Sequence, residues 1–480
     1  MYTDVTYQDW ELTPEHERLE LLLDIIRQYK SSPEFRQGIV ANQYFRSENP
    51  VVAGKYLLRP TVVEIRDEGT GKVKKTNRTE RIDGNRVFSS FFSRFVIQQN
   101  QFLLANGVTL KDEAIKKRLG IGFDKTLERL GEKALVHGVA WGFWNVDHLE
   151  VIEAVKDKLS GAVALVDERT SEPKLLVQFW QVGRKRPLYA RLYALDGVVE
   201  YMTNKDGKLV EIAKSRRAYV QHTSTDMLGT QIIGESNYSS LPVIPLWASE
   251  EKRSELTPAI KSKIDLYDRI LSDFGDNLDR ACDVYWVLNN FGGTMSDIAE
   301  TLAAIEKLKA VANISDGTGS ASTAEPHTIE VPYAARQAAL EILQKQLYSD
   351  YMALSMDELT GGSLTNVAIE TAMLNLNLKA DRYEWQCFAF VQKVLRLLGV
   401  DTEEITFKRQ ELVNRSEIVN DLSLMRDYID QETALKKNPY IMQEEVQDIL
   451  ERLAAESMSA APEVKKPENA DELDEEEDDA

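Results

Sequence analysis

The sequence predicts an α+β fold that is mostly helical, and three observations carry that prediction. Apolar residues recur every three or four positions through several long stretches, short apolar runs alternate with turn dipeptides from Glu150 to Pro242, and hydrophobic and charged residues make up 43% and 28% of the chain. That balance is globular. At 480 residues the chain exceeds what one hydrophobic core usually organises, so roughly two to four sub-structures are expected.

In chain order, Thr13 and Pro14 read as a helix start, with Leu19, Leu22, Leu23 and Ile26 following at helical spacing. Arg59 to Lys75 reads as a hairpin with Asp67 to Lys72 as its turn. Phe88 to Asn106 and Ile115 to Val139 read as helices, leading into AWGFWNVD and then the strand-and-turn block, with turns at Leu195-Asp196-Gly197 and Asn204 to Gly207. After LPVIPLW, Thr257 is suited to cap a helix and Pro258 to open it. The helix that starts there has an apolar seam at Ile260, Ile264, Tyr267, Leu271, Phe274 and Leu278, spaced for lengthwise packing on other helices. An ordinary core helix has the same spacing, and the charged remainder, including Asp265, Asp268, Asp273 and Asp276, suits either case.

A compact insert spans Cys282 to Val331, with VYWVLNN, a short helix near Met295 to Ala312 and a polar loop. A second long helix follows Pro332, with Ala335, Ala339, Leu343, Leu347 and Tyr351 giving a narrow apolar face. Two long helices bracketing an insert read as a stalk carrying a head. The stretch Thr360-Gly361-Gly362-Ser363-Leu364-Thr365-Asn366 then interrupts the helical pattern, since each glycine costs a helix about 1 kcal/mol relative to Ala. Beyond it lie a helix from Val367 to Leu398, with Val367, Ala368, Met373 and Leu374 as its first apolar face, a strand at ITFKRQ, and a helical pair from Ser416 to Glu456 with Asp430 as a cap.

Charge and motifs exclude several function classes. The net charge is −20, of which Glu463 to Asp479, with ten acids and two lysines, contributes −8 and reads as a solvated, disordered tail. Tight DNA binding normally wants the opposite sign. No apolar run approaches the roughly 20 residues of a membrane span, so no membrane partner is expected. The N-terminal residues carry acids where a secretory signal has a basic and then an apolar region. Cys282 and Cys387 sit in apolar contexts and read as neither a disulfide nor a zinc pair. No phosphate loop, HExxH pair, GxSxG elbow or Cys/His cluster occurs, so no cofactor, metal or catalytic residue is predicted and the chain reads as a non-enzyme. Asp273, Asp276 and Asp279 have the residue type of a metal-dependent nuclease, but their spacing on a charged helix reads as its wet face.

Five segments, in order, resemble the portal proteins of long-tailed double-stranded DNA bacteriophages. They are Asn77 to Val108, Ala134 to Asp147, Leu241 to Phe274, Thr360 to Asp381, and Ile405 to Leu422 continuing into QETALKKNPYI, within a likeness running from about Gly38 to Glu456. Asp430 stands where the family often has Ser, and Asn366 near a family glycine; Asp caps as well, and Asn tolerates left-handed backbone. The resemblance implies a phage portal fold assembled as a ring: a wing over 1–254, stem helices over 255–281 and 332–351, a clip over 282–331, a tunnel loop, long kinked helix and wing strand over 352–410, crown helices over 411–458, and the acidic tail over 459–480. It implies a tunnel loop facing DNA at Gly361, Gly362, Ser363, Leu364, Thr365 and Asn366, with the seam from Ile260 to Leu278 packed within the ring. It also implies a homo-oligomer, a dodecamer in the virion, that conducts double-stranded DNA at one capsid vertex. Its expected partners are the terminase ATPase, the major capsid and scaffolding proteins, and the head completion (adaptor) protein, with the host cytoplasm as the place of assembly. Two alternatives stay open: a non-channel helical interaction or scaffold protein, and the metal-dependent nuclease.

Overall fold

The computed structural model describes residues 3–66, 73–226, 229–281, 285–289, 323–327, 333–356, 365–401, 404–410, 414–426, 428–442 and 445–459. The turn at Asp67 to Lys72, Cys282, the insert apart from two strands, Gly361 to Leu364 and the acidic tail lie outside them. About 50% of the chain is helix and 20% strand, an α+β mix as the sequence predicts. It divides into two units, Met1–Ser355 with Leu374–Gln410, and Met356–Met373 with Glu411–Ala480.

The first unit opens with α1 (Tyr7–Leu12), α2 (Arg18–Ser31), α3 (Pro33–Phe45) and α4 (Pro50–Ala53). Thr13 does not cap as the sequence suggests: Thr6 forms a capping box with Asp9 at the start of α1, and Pro14 lies in the link before α2. The strands β1 (Tyr56–Arg66) and β2 (Val73–Asp83) pair antiparallel as the predicted hairpin. Next come α5 (Phe91–Leu104), β3 (Val108–Leu110), α6 (Glu113–Arg118) and α7 (Phe123–His137). The single helix expected from Ile115 to Val139 is thus two, because Gly120 adopts φ +82° between them. Gly131 permits close crossing on α7, since a Cβ there would overlap the Asn100 carboxamide and the Tyr383 hydroxyl.

The strand block comprises β4 (Val139–Asn145), β5 (His148–Glu153), β6 (Val155–Asp157), β7 (Ser160–Val166), β8 (Pro173–Trp180), β9 (Tyr189–Ala194), β10 (Gly197–Thr203), β11 (Leu209–Glu211), β12 (Val220–Asp226), β13 (Gly229–Ser236) and β14 (Val243–Trp247). The strands β6 to β11 form a six-stranded antiparallel meander, and β14-β4-β5 form a three-stranded sheet. The meander is covered on both sides: Val163, Leu165, Val177 and Phe179 pack with Leu22, Ile26 and Tyr29 of α2, while Ala162, Ala164, Leu176 and Tyr193 pack with Trp141, Phe143 and Val243. Alternation along each strand sends neighbours into different cores.

Two long helices follow, α8 (Pro258–Ala281) and α9 (Tyr333–Tyr351), with the paired strands β15 (Tyr285–Asn289) and β16 (Thr323–His327) between them in sequence. Then comes α10 (Asn366–Leu397), 32 residues long. The main core gathers α5, α7, the first turns of α8, the last turns of α9, and Tyr383, Cys387, Phe390 and Val394 of α10, with β17 (Ile405–Phe407) pairing to β3 at its edge. Burial pushes the Cys387 thiol up, so it behaves as a small hydrophobe.

The second unit holds the start of α10, where Ile369 and Met373 are buried, together with α11 (Arg415–Leu424), α12 (Gln431–Lys437) and α13 (Val446–Ser459). The expected helical pair is therefore three helices. Asp430 caps α12, its side chain accepting the Thr433 N–H at 3.0 Å.

Candidate functional site

The candidate site is the α8–α9 pair with the segment leading into α10, because the stalk and the loop were predicted there. Helix α8 begins as the sequence suggests, the Thr257 hydroxyl accepting the Ile260 N–H at 3.4 Å and Pro258 in the first turn. Its apolar seam does not share one environment. Ile260 and Ile264 are buried in the main core, Tyr267 packs edge-on to Phe91 at 5.0 Å between ring centroids, Leu271 is half-buried, Phe274 lies 5.6 Å from Tyr333, and Leu278 is 47% exposed. Helix α9 runs alongside: Lys263 pairs with Asp350, and Arg336 donates to the Asp273 carbonyl at 3.4 Å. Residue 263 facing 350 and residue 273 facing 336 make the pair antiparallel.

A second stripe of α8 is polar and buried: Asp265, Asp268, Ser272 and Asp276, spaced three, four and four. The Tyr44 hydroxyl donates to Asp265; Asn49 and the Ser89 N–H donate to Asp268 at 2.8 and 3.0 Å; the Val87 N–H donates to Ser272 at 3.0 Å; the Asn85 N–H donates to Asp276 at 2.6 Å. Lys55 bridges Asp273 and Asp276. Thus α8 serves as the hydrogen-bonding edge for Asn85 to Ser89, a segment with no strand partner of its own. Burial raises the Asp268 carboxyl and the Tyr44 hydroxyl, whereas at Asp276 the opposing pull of burial is outweighed by Lys55 and Asn85 and the carboxyl is held below its ordinary value.

This corrects the wet-face reading for Asp276 alone, since Asp273 is half-exposed and Asp279 exposed. Asp276 is buried and paired, and Asp279 accepts from the Asn85 side chain. Among the described residues no group of His, Cys, Asp or Glu could hold a metal ion. The missed signal was the stripe's own helical period, legible in the sequence but not separable from a solvated face without Lys55 and Asn85 to Ser89.

The ends of the two long helices meet α10 at a buried cation. Lys379 Nζ lies 2.8 Å from Glu255 and 3.2 Å from the centroid of the Tyr351 ring, and donates to the Tyr351 carbonyl at 2.9 Å. Burial lowers the Lys379 ammonium, and Glu255 pulls the other way. Nothing in the spacing of these three residues announces the contact.

Of the six loop residues, Thr365 and Asn366 are described. The Thr365 hydroxyl caps α10, accepting the Ala368 N–H at 3.2 Å. The Asn366 N–H donates to Glu417 at 2.6 Å while its side-chain carbonyl accepts the Asn414 N–H at 2.7 Å. The two helix starts, α10 and α11, therefore cap each other. The apolar face expected at Val367, Ala368, Met373 and Leu374 is shifted: Val367, Ala368 and Leu374 are exposed, and the buried row is Ile369, Met373, Leu376 and Ala380. Both rows have helical period, and packing selects one.

Comparison with known proteins places the chain in a family. Residues 40–459 match the family described as "Phage portal protein, SPP1 Gp6-like". A curated relative, the "Portal protein" of Clostridium phage phiCD119, is 24% identical over 414 residues, covering 81% of this chain and 84% of that protein.

Proposed function

The chain belongs to the SPP1 Gp6-like family of phage portal proteins and has a portal protein's role, and from that premise we propose that it forms a ring-shaped channel at one capsid vertex through which DNA is packaged and ejected. Portal proteins are structural rather than catalytic. The nucleotide-driven work of packaging would belong to the terminase ATPase docked on the ring, and the major capsid, scaffolding and head completion proteins would be its other partners.

The observation that carries the channel reading is the antiparallel α8–α9 pair, which is incomplete by itself. Leu266 and Leu278 of α8 and Tyr333 and Ile342 of α9 are 41%, 47%, 60% and 56% exposed, after the pair has already packed on its own core. Large apolar side chains left outside in this number on two adjacent helices fit burial against neighbouring copies. A dodecamer is the ring expected in the virion. Residues Leu359 to Asn366 would supply the loop toward DNA. Thr365 and Asn366 support this by ending the segment in a double cap, which fixes its exit.

The test is the double change Gly361→Val and Gly362→Val. Rings and empty capsids should form normally, while packaged DNA, measured as nuclease-protected genome per particle, should fall at least tenfold. Packaging at the unmutated level would reduce the segment to a connector. Rings with a central hole in images of the purified chain would separate the channel from a solid helical scaffold.

A further inference from the structure

The turn between β8 and β9 carries three adjacent cations that the fold does not use. Its backbone is fixed from within: the Arg186 N–H donates to the Gly183 carbonyl at 2.8 Å, and the Gln181 carboxamide donates to the Arg186 carbonyl at 2.7 Å. Arg184, Lys185 and Arg186 are all exposed, and none of their side chains has an ion-pair partner among the described residues. Three like charges on consecutive residues repel, and in a chain of net charge −20 they are not needed for solubility.

The turn stands beside a cavity of about 500 Å³ whose lining includes Arg129, Lys156, Gln178, Trp180, Gln181 and Arg191. The acids at that cavity are engaged: Glu153 lies 3.7 Å from Lys133, and Asp157 accepts the Leu159 N–H at 2.7 Å. Arg191 is held by Glu200 at 2.7 Å and by the Trp180 face at 5.6 Å, and Trp180 stacks on Tyr189. The cavity wall is thus mixed, with Arg129, Lys156 and Arg191 beside Glu153 and Asp157, and the unpaired positive charge is carried by the stapled basic turn.

We propose that the turn Gly183 to Arg186 and this cavity form a binding patch for the phosphate backbone of duplex DNA. Duplex DNA presents a charge about every 1.7 Å along its axis, so adjacent cations find phosphates without either partner having to fold. Arg184 and Arg186 have the planar fork that meets phosphate oxygens in pairs. An acidic protein partner fits less well, because protein interfaces centre on aromatic or aliphatic anchors, whereas here Trp180 is already held by Tyr189 and Arg191 and Val182 is the one large apolar side chain of the turn left exposed. The patch is a property of the meander and does not depend on the loop before α10 or on a channel.

The experiment uses the full-length protein and a short fluorescent duplex of random sequence, with anisotropy read between about 50 and 200 mM salt. The triple variant Arg184→Ser, Lys185→Ser, Arg186→Ser should bind at least tenfold more weakly at low salt. Its log–log salt slope should be shallower by about two to three, near 0.9 per lost phosphate contact. Lys205→Ser, in the turn between β10 and β11, should leave both unchanged. Far-UV circular dichroism checks that the triple variant is folded, and the conservative pair Arg184→Lys, Arg186→Lys should keep the wild-type slope. Equal affinity and slope for the triple variant and the parent would overturn the proposal. So would tighter binding of polyglutamate than of DNA at matched charge, which would make the patch an acidic-peptide site.

Discussion

At the scale of single residues, the informative side chains are buried polar groups whose partners come from distant parts of the chain. His137 closes α7 with its Nε2 2.9 Å from the Asn42 carboxamide oxygen. Asn42 spends its amide hydrogens on the Val155 carbonyl at 2.9 Å, so it accepts from His137, which fixes the Nε2–H tautomer and leaves Nδ1 without a partner. Burial pushes the imidazole down to about 3. An unfolded histidine titrates near its ordinary 6.5, so between these values the unfolded chain binds the extra proton and stability is lost as the pH is lowered, by about 1.4 kcal/mol per pH unit at most. The melting temperature should therefore drop between pH 7 and pH 4.5 more steeply in the parent than in His137→Gln, and parallel profiles would contradict the burial argument. Lys379 makes a complementary case. Lys379→Met should cost about 3 kcal/mol or more in denaturant unfolding, because Glu255 loses its partner in a poorly solvated site. Adding Glu255→Gln should restore part of that loss; if it does not, packing of the lysine stem rather than charge is what matters.

At the scale of elements, α8 shows how one helix can hold three faces. Its period was legible: Ile260, Ile264 and Tyr267 follow the predicted seam into the core. The seam's second half was legible as apolar but not as to what covers it, since Leu271 is half-buried and Leu278 exposed within one chain. Leu271→Asp is accordingly expected to leave the secondary structure unchanged by circular dichroism while rings are lost in native mass spectrometry. A charge stranded in an apolar interface costs on the order of several kcal/mol per subunit. Intact rings would take Leu271 out of the interface. The polar stripe from Asp265 to Asp276 was the larger surprise, because carboxylates at helical spacing read as solvated until a backbone segment lacking other partners lies against them. The break at Gly120 and the shift of the α10 face to Ile369 and Met373 have the same origin: local pattern offers alternatives, and long-range packing chooses among them.

At the scale of the whole molecule, charge is distributed unevenly, and −8 of the net −20 is collected in the last residues. Truncation after Ser459, the last residue of α13, removes ten acids and two lysines. It should change neither ring size nor melting temperature by more than about 2 °C, since such a segment has little apolar surface to bury; a larger fall would mean that the tail docks on the body. What the sequence by itself determined was the order and type of the elements: a hairpin, a strand block, two long helices around an insert, and a long helix after a glycine-rich break. These follow from periodicity, caps and turn residues, which act within a few positions of one another. The same order of segments was enough to recognise the portal family. The tertiary structure alone decided that the meander is covered on both sides, that Asn85 to Ser89 is satisfied by the side chains of α8, and that Glu255, Tyr351 and Lys379 meet in one clasp. Those contacts join residues tens to hundreds of positions apart, and no local propensity encodes them. Their free energy comes from desolvation and partner geometry, which exist only once the chain has folded.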